Sequence, residues 1–143
     1  MKAIEDIQKE VVEEFAFFDD WMSKYEYIID LGKNLPIIDE DKKTEDYRIK
    51  GCQSQVWLDA SLDDQGQVVF KADSDAVITK GIISLLIRVL SGHKPKDIAK
   101  ADLHFIEEIG LREHLSPTRS NGLLSMVKKM KTYGVAFDHQ TKS

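Results

Sequence analysis

Cysteine is nearly absent from the sequence: Cys52 is the only one among the 143 residues. A single thiol cannot form an internal disulfide, so nothing in the composition indicates an oxidising compartment. It also excludes a zinc site built from several cysteines and an iron–sulfur cluster held by this chain alone. Two interpretations of the thiol stay open: a nucleophile or carrier, or an inert and buried apolar side chain.

Long apolar runs and an excess of positive charge are missing too. No stretch approaches the roughly 20 apolar residues that span a bilayer, and the acidic, amphipathic N-terminus is unlike a secretory signal or an Arg-rich transit peptide. We therefore expect no membrane association and a cytoplasmic location. The net charge of −5 argues against nucleic acid as a partner. The four histidines lack the paired spacing of metal ligands, so we predict no metal site.

The chain does contain enough apolar material for an ordinary core, since 42% of its residues are hydrophobic. Its length favours one domain over residues 1–143, because single domains commonly have ~100–200 residues. We place the core at about residues 4–134 and a polar, frayed tail at residues 138–143.

The first third of the chain has helical periodicity. Apolar residues recur at helical spacing over residues 4–18. A second apolar stripe follows Asp19 and Asp20, either of which can cap a helix, and stops at Gly32. The charge-dense residues 34–46 then predict a solvated loop.

The middle of the chain alternates between apolar and polar residues, as strands do. The alternation is clear over residues 55–62 and again over residues 67–73, and the Asp-Asp-Gln-Gly turn between them indicates a hairpin. A third, short strand is predicted at residues 47–49. Together they predict a small three-stranded antiparallel sheet with one covered face.

Helices return in the last part of the chain. Residues 76–90 are apolar nearly all round, with Ser74 or Asp75 as the predicted cap. Further helices are predicted at about residues 96–100, at 102–109, and from Ser116–Pro117 to residue 134. Helices, then an antiparallel sheet, then helices indicate the α+β class.

Cys52 lies between two predicted strands, in the segment Lys50-Gly51-Cys52-Gln53-Ser54. A loop can present a thiol to a partner, and Gly51 permits backbone conformations that other residues avoid. The positive charge of Lys50 would favour the thiolate, the form that attacks sulfur.

Three blocks of sequence resemble the SufE family, which includes the paralogue CsdE. They are GCQSQVW at residues 51–57, DSDAVITKG at residues 73–81 and LSPTRSNGL at residues 115–123. The resemblance implies an α+β fold close to that of the IscU scaffold, although a cluster scaffold of the IscU kind needs several cysteines.

The function that this resemblance implies is sulfur transfer. Cys52 would accept persulfide sulfur from a SufS- or CsdA-like cysteine desulfurase that uses pyridoxal phosphate. The chain would stimulate that enzyme and relay the sulfur to the SufBCD scaffold for iron–sulfur cluster assembly. It would act without a cofactor of its own, as a carrier rather than an enzyme, and as a monomer or weak homodimer.

The resemblance also marks residues that support Cys52 or bind the partner: Gly51, Gln53, Ser54, Asp75 and Arg119. Arg119 would stabilise a thiolate or persulfide or contact the desulfurase; the alternative is a surface ion pair. Asp75 is either a helix cap or a partner contact. We expect the loop to shelter the sulfur and then extend, with Gly51 as one hinge.

Two other functions remain open on the residues alone. An independent cysteine enzyme, such as a hydrolase or peroxidase, would need a base near Cys52, and the nearest histidine in sequence is His93. A passive binding module would carry Cys52 as an incidental buried residue.

Overall fold

A computed structural model describes residues 2–141. Over these residues the chain forms, in order, α1 (Ile4–Phe15), α2 (Trp21–Leu31), β1 (Val56–Leu62), β2 (Val68–Ser74), α3 (Val77–Leu90), α4 (Pro95–Lys100), α5 (Phe105–Glu108), α6 (Leu111–His114) and α7 (Pro117–Thr141). Short 3₁₀ turns lie at Gly32–Asn34 and Glu40–Lys42. The predicted α+β class is confirmed.

The two strands form an antiparallel hairpin in which Val56 pairs with Ser74 and Leu62 pairs with Val68. The Asp63 carboxylate closes the turn by accepting hydrogen bonds of 2.9 Å from the backbone N–H groups of Gln65 and Gln67. The predicted hairpin is therefore present, and local sequence alone specifies it.

The predicted third strand is wrong: over residues 2–141 the sheet has two strands. Residues 47–49 make only an isolated bridge to β1, through hydrogen bonds from Ile49 N to Val56 O (2.8 Å) and from Leu58 N to Tyr47 O (2.9 Å). The segment is too short to continue the ladder, because Gly51 follows with φ 93° and turns the chain away.

Helix α3 is the centre of the core, and ten of its fourteen residues are buried. It packs against α2, which begins with the predicted cap: the Asp20 carboxylate accepts a hydrogen bond of 2.7 Å from Ser23 N. The cap predicted for α3 itself is wrong. Ala76 occupies that position without a side-chain bond, and the Ser74 hydroxyl accepts from Ala76 N (3.2 Å) without reaching the helix.

The last helices also depart from the predicted bounds. The single helix expected at residues 102–109 is reduced to α5 after an irregular start, and Gly110, with φ 75°, separates it from α6. Helix α7 does not end at Gly134 but continues to Thr141, so residues 138–141 are helical, and 142–143 lie outside the described residues.

The reason that Gly134 does not end α7 is its contact with α4. A Cβ atom there would lie 3.0 Å from Ala99 N and 3.0 Å from Pro95 O. The missing side chain therefore lets two backbones approach closely, instead of marking a helix end. Between residues 2 and 141, no helix has the length and apolarity needed to cross a bilayer.

Candidate functional site

Cys52 lies on a short loop, residues 51–55, which leads into β1 and rests against α7; we call it the cysteine loop. The thiol is half-buried, and its Sγ lies 3.6 Å from the carbonyl oxygen of Gly122. Gly51 begins the loop with φ 93°, and a Cβ there would lie 2.5 Å from the Ser125 hydroxyl. Both the backbone conformation and the contact with α7 therefore require glycine at this position.

The far end of the cysteine loop is tied to the start of α3. The Asp75 carboxylate accepts a hydrogen bond of 3.0 Å from Gln55 N, and Asp75 N donates to Gln55 O at 3.3 Å. The hydroxyl groups of Ser54 and Thr79 lie 3.4 Å apart. Asp75 thus fixes the exit of the loop instead of capping α3.

A narrow recess of about 20 Å³ opens beside the thiol. A cavity of about 10–15 Å³ can hold one water molecule, so this recess has room for roughly one further atom beside the thiol. The residues that line it come from the loop, α3 and α7: Cys52, Gln53, Ser54, Thr79, Thr118, Arg119, Gly122 and Met126. The structure therefore brings together four of the residues predicted from sequence, while Gly51 and Asp75 hold the loop from outside the recess.

Burial raises the pKa of the Cys52 thiol, and the positive charge of Arg48 opposes that increase without cancelling it. The sequence had favoured Lys50 for this role, but Lys50 is exposed. The resting structure therefore disfavours the thiolate of Cys52 relative to that of a free cysteine.

Arg119 lies in the first turn of α7, where its backbone N–H donates to the Ser116 hydroxyl at 3.3 Å. This bond confirms the helix start predicted at Ser116–Pro117. Arg119 is one of the residues that line the recess beside Cys52, and it forms no ion pair with any residue between 2 and 141. The surface ion pair considered from the sequence is therefore missing from this part of the chain. In the resting structure it is Arg48, rather than Arg119, whose charge acts on the Cys52 thiol.

No histidine lines the recess as the structure describes it. His93 is buried elsewhere, with its ring nitrogens 3.3 Å from Leu90 O and 3.0 Å from Lys2 O. An independent cysteine enzyme would need a base at the thiol, and His93 does not supply one. Across residues 2–141, no group of three or more His, Cys, Asp or Glu side chains is placed to hold a metal ion.

Gly122 is a site residue that the sequence reasoning missed, together with Thr79, Thr118 and Met126. Gly122 brings the α7 backbone against the cysteine loop: a Cβ there would lie 3.5 Å from Cys52 Sγ. A glycine inside a helical pattern was the available signal, because such a residue often marks a close packing contact.

The sequence matches the model of the family described as SufE, Fe-S metabolism associated domain, over residues 9–134. An uncharacterized SufE-like protein of Rhizobium meliloti is 38% identical over 127 residues, which cover 86% of this chain and 91% of the relative. A SufE-like protein of Synechocystis is 39% identical, covering 89% of this chain and 79% of the relative.

Two further comparisons extend this result. SufE-like protein 1 of Arabidopsis thaliana, named chloroplastic/mitochondrial, is 42% identical over 86% of this chain, although the match spans only 33% of that longer protein. The solution structure of a hypothetical protein from Thermus thermophilus matches with a TM-score of 0.75 and 20% identity, covering 92% of this chain and 95% of the other. This last likeness concerns the fold alone.

Proposed function

Because the chain belongs to the SufE family, we propose that Cys52 accepts persulfide sulfur from a SufS-type cysteine desulfurase. The observation that carries the proposal is the site around its lone thiol. Cys52 is half-buried beside a recess of about 20 Å³, and the same recess is lined by Arg119, which has no ion-pair partner among residues 2–141. A recess of that size fits one added sulfur atom, and the positive charge of Arg119 suits the negative charge that a persulfide carries.

The reaction is an exchange between a thiol and a persulfide. The Cys52 thiolate attacks the terminal sulfur of the persulfide on the desulfurase, a new Sγ–S bond forms, and the S–S bond of the donor breaks. The donor cysteine leaves as a thiolate, so the exchange needs neither oxidant nor reductant. The chain has no second cysteine to displace the sulfur as a disulfide, and the persulfide must wait for the next partner.

The cysteine loop would leave α7 for this exchange. In the resting structure burial keeps the pKa of the thiol high and the Gly122 carbonyl lies against it, so a docked donor cannot meet an exposed thiolate. Moving the loop outward removes both restraints. Gly51, with its φ of 93°, is the hinge that we assign to this motion.

The finer parts of the proposal concern partners. The chain stimulates the desulfurase by removing sulfur from it, passes that sulfur to the SufBCD scaffold, and acts without a cofactor of its own. Gln53, at the recess, is a contact for the desulfurase. A cytoplasmic location and a monomer or weak homodimer remain predictions from the sequence.

The test is the intact mass of the chain after incubation with the desulfurase and cysteine. We expect a gain of one sulfur atom in the wild type and none in Cys52→Ser, with the same circular dichroism spectrum for both. An unmodified wild-type chain beside an active desulfurase would contradict the proposal, as would an equal gain in Cys52→Ser.

A further inference from the structure

A second and much larger depression adjoins the cysteine loop. It is an open groove of about 590 Å³ between residues 45–50 and one face of α7. We call it the basic groove, and the side chains that line it are Glu45, Asp46, Arg48, Ile49, Lys50, Ser125, Lys128, Lys129 and Thr132.

The charge of this groove is opposite to that of the whole chain. Four of its side chains are cationic and two are anionic, a net of +2, whereas the chain as a whole carries −5. On α7 the lining residues Ser125, Lys128, Lys129 and Thr132 are spaced by three, four and seven residues from the first, so they share one face of the helix. Two of the four cations, Lys128 and Lys129, therefore lie together on that face.

Most of that charge is not neutralised within the molecule. Glu45 pairs with Arg48 at 3.1 Å. Lys50, Lys128 and Lys129 form no ion pair with any residue from 2 to 141, and Lys129 Nζ lies 5.3 Å from the centre of the uncharged Tyr133 ring. Three lysines that line the groove, Lys50 on one wall and Lys128 and Lys129 on the other, are thus free to meet carboxylates from outside.

The groove is continuous with the site of sulfur transfer. Lys50 lines the groove, Gly51 follows it in the chain, and Cys52 lines the recess. Ser125 belongs to the groove and also lies against Gly51, at the hinge of the cysteine loop. A partner segment in the groove would therefore contact the surface on which the loop rests.

We propose that the basic groove binds an acidic, extended segment of the sulfur-donating desulfurase. This inference rests on the proposed function and assigns the surface that selects the partner. Charge complementarity raises the rate of encounter and rejects partners of the wrong sign, and it weakens as salt is added. The groove is lined mainly by charged and polar side chains, which suits a carboxylate-rich segment better than an apolar one.

The test compares two charge reversals on one helix. Lys128→Glu changes the groove, while Lys131→Glu makes the same change on the part of α7 that faces Asp102 and Glu107. At low ionic strength we expect Lys128→Glu to weaken desulfurase binding about tenfold or more, and Lys131→Glu to change it less than about twofold. The difference should shrink at high ionic strength.

Two readouts separate this inference from the proposed function. Sulfur uptake with excess desulfurase should be complete for both variants, because neither touches the thiol. A wild-type chain that binds through Lys128 but gains no sulfur would overturn the proposed function and support the groove. Equal binding by the two variants would overturn the groove, as would an effect of Lys128→Glu on self-association in place of desulfurase binding.

Discussion

Two adjacent segments of the chain are held in very different ways. Residues 39–50, which we call the strap, cross the hairpin and are fixed by ion pairs. Lys42 Nζ lies 3.0 Å from the Asp59 carboxylate, and Lys43 Nζ lies 2.6 Å from the Asp73 carboxylate. The Lys43 ammonium also lies 5.8 Å from the centre of the Trp57 ring.

The cysteine loop is hydrogen-bonded to Asp75 at its far end, through the backbone of Gln55, but around Cys52 it touches its neighbours through weaker contacts. Sγ of Cys52 is 3.6 Å from Gly122 O, and the hydroxyl groups of Ser54 and Thr79 are 3.4 Å apart. Gly51 is the first residue of the cysteine loop and directly follows the strap. The proposed movement of the loop away from α7 would therefore break weaker contacts around Cys52 than the ion pairs that hold the strap.

Releasing the strap should have the largest effect on stability. Asp73 is buried, and its carboxylate contacts Lys43 at 2.6 Å and Lys80 at 3.4 Å. Asp73→Asn removes the carboxylate that pairs with Lys80 and leaves Lys43 with the exposed Glu40, so we expect the free energy of unfolding to fall by about 2–3 kcal/mol in urea titrations. Sulfur uptake should persist.

The matched control for that variant is Glu40→Gln. Glu40 also pairs with Lys43, at 3.0 Å, but its side chain is exposed. We expect a change below about 0.5 kcal/mol for this pair. Equal losses in the two variants would show that the buried carboxylate does not hold the strap.

Straining the hinge should have the next largest effect. Gly51→Ala places a Cβ in a backbone with φ 93° and 2.5 Å from the Ser125 hydroxyl. The left-handed conformation costs about 1–2 kcal/mol for a residue with a Cβ, and the contact pushes the loop away from α7. We expect that loss of stability together with faster alkylation of Cys52.

Gly66→Ala provides the comparison for the hinge variant. Gly66 has φ 75°, but a Cβ there would meet nothing within 4 Å. Gly66→Ala should lose a similar amount of stability through backbone strain, and its Cys52 should be alkylated at the wild-type rate. Faster alkylation in both variants, or in neither, would mean that the Ser125 contact does not hold the cysteine loop.

Adding a methyl group beside the thiol should have a smaller effect, and it should raise stability where the hinge variant lowers it. In Gly122→Ala the new methyl group would lie 3.5 Å from Cys52 Sγ, an ordinary van der Waals contact. Alanine is favoured over glycine inside a helix by up to about 1 kcal/mol, so the variant should be more stable and its thiol slower to alkylate.

The control is Gly134→Ala, which places its methyl 3.0 Å from the α4 backbone and should instead be destabilised. A less stable Gly122→Ala would contradict the contact described.

The smallest effect concerns pH. Burial raises the pKa of the Cys52 thiol more than Arg48 lowers it. The rate of alkylation by iodoacetamide should therefore reach its midpoint above the usual value of about 8.5 in the native protein, and near that value in urea. Coincident midpoints would show that the resting loop does not bury the thiol.

Local signals were enough to predict some parts of the fold. The hairpin follows from alternation and from the Asp63 turn, both readable within a few residues. The third strand and the end of α7 were predicted wrongly because tertiary contacts decide them. Gly134 packs against the backbone of α4, and such packing cannot be read from the sequence of α7 alone.

The resemblance to the SufE family identified some residues of the candidate site and left others out. Cys52, Gln53, Ser54 and Arg119 were named from the family blocks, and all four line one recess, while their roles stay predictions. Gly122 was missed because it meets the thiol across 70 residues of sequence. The role of Asp75 was missed for a similar reason: its partner is the backbone of residue 55, and a helix cap was the local explanation.

The most direct test is a single turnover of sulfur transfer. A desulfurase loaded with persulfide, freed of cysteine and mixed with an equal amount of this chain, is followed by the intact masses of both proteins. We predict that one sulfur atom leaves the desulfurase and appears on this chain at the same rate, and that a proteolytic digest places it on the peptide that contains Cys52. Sulfur that stays on the desulfurase or leaves as free sulfide, with this chain unmodified, would contradict the account.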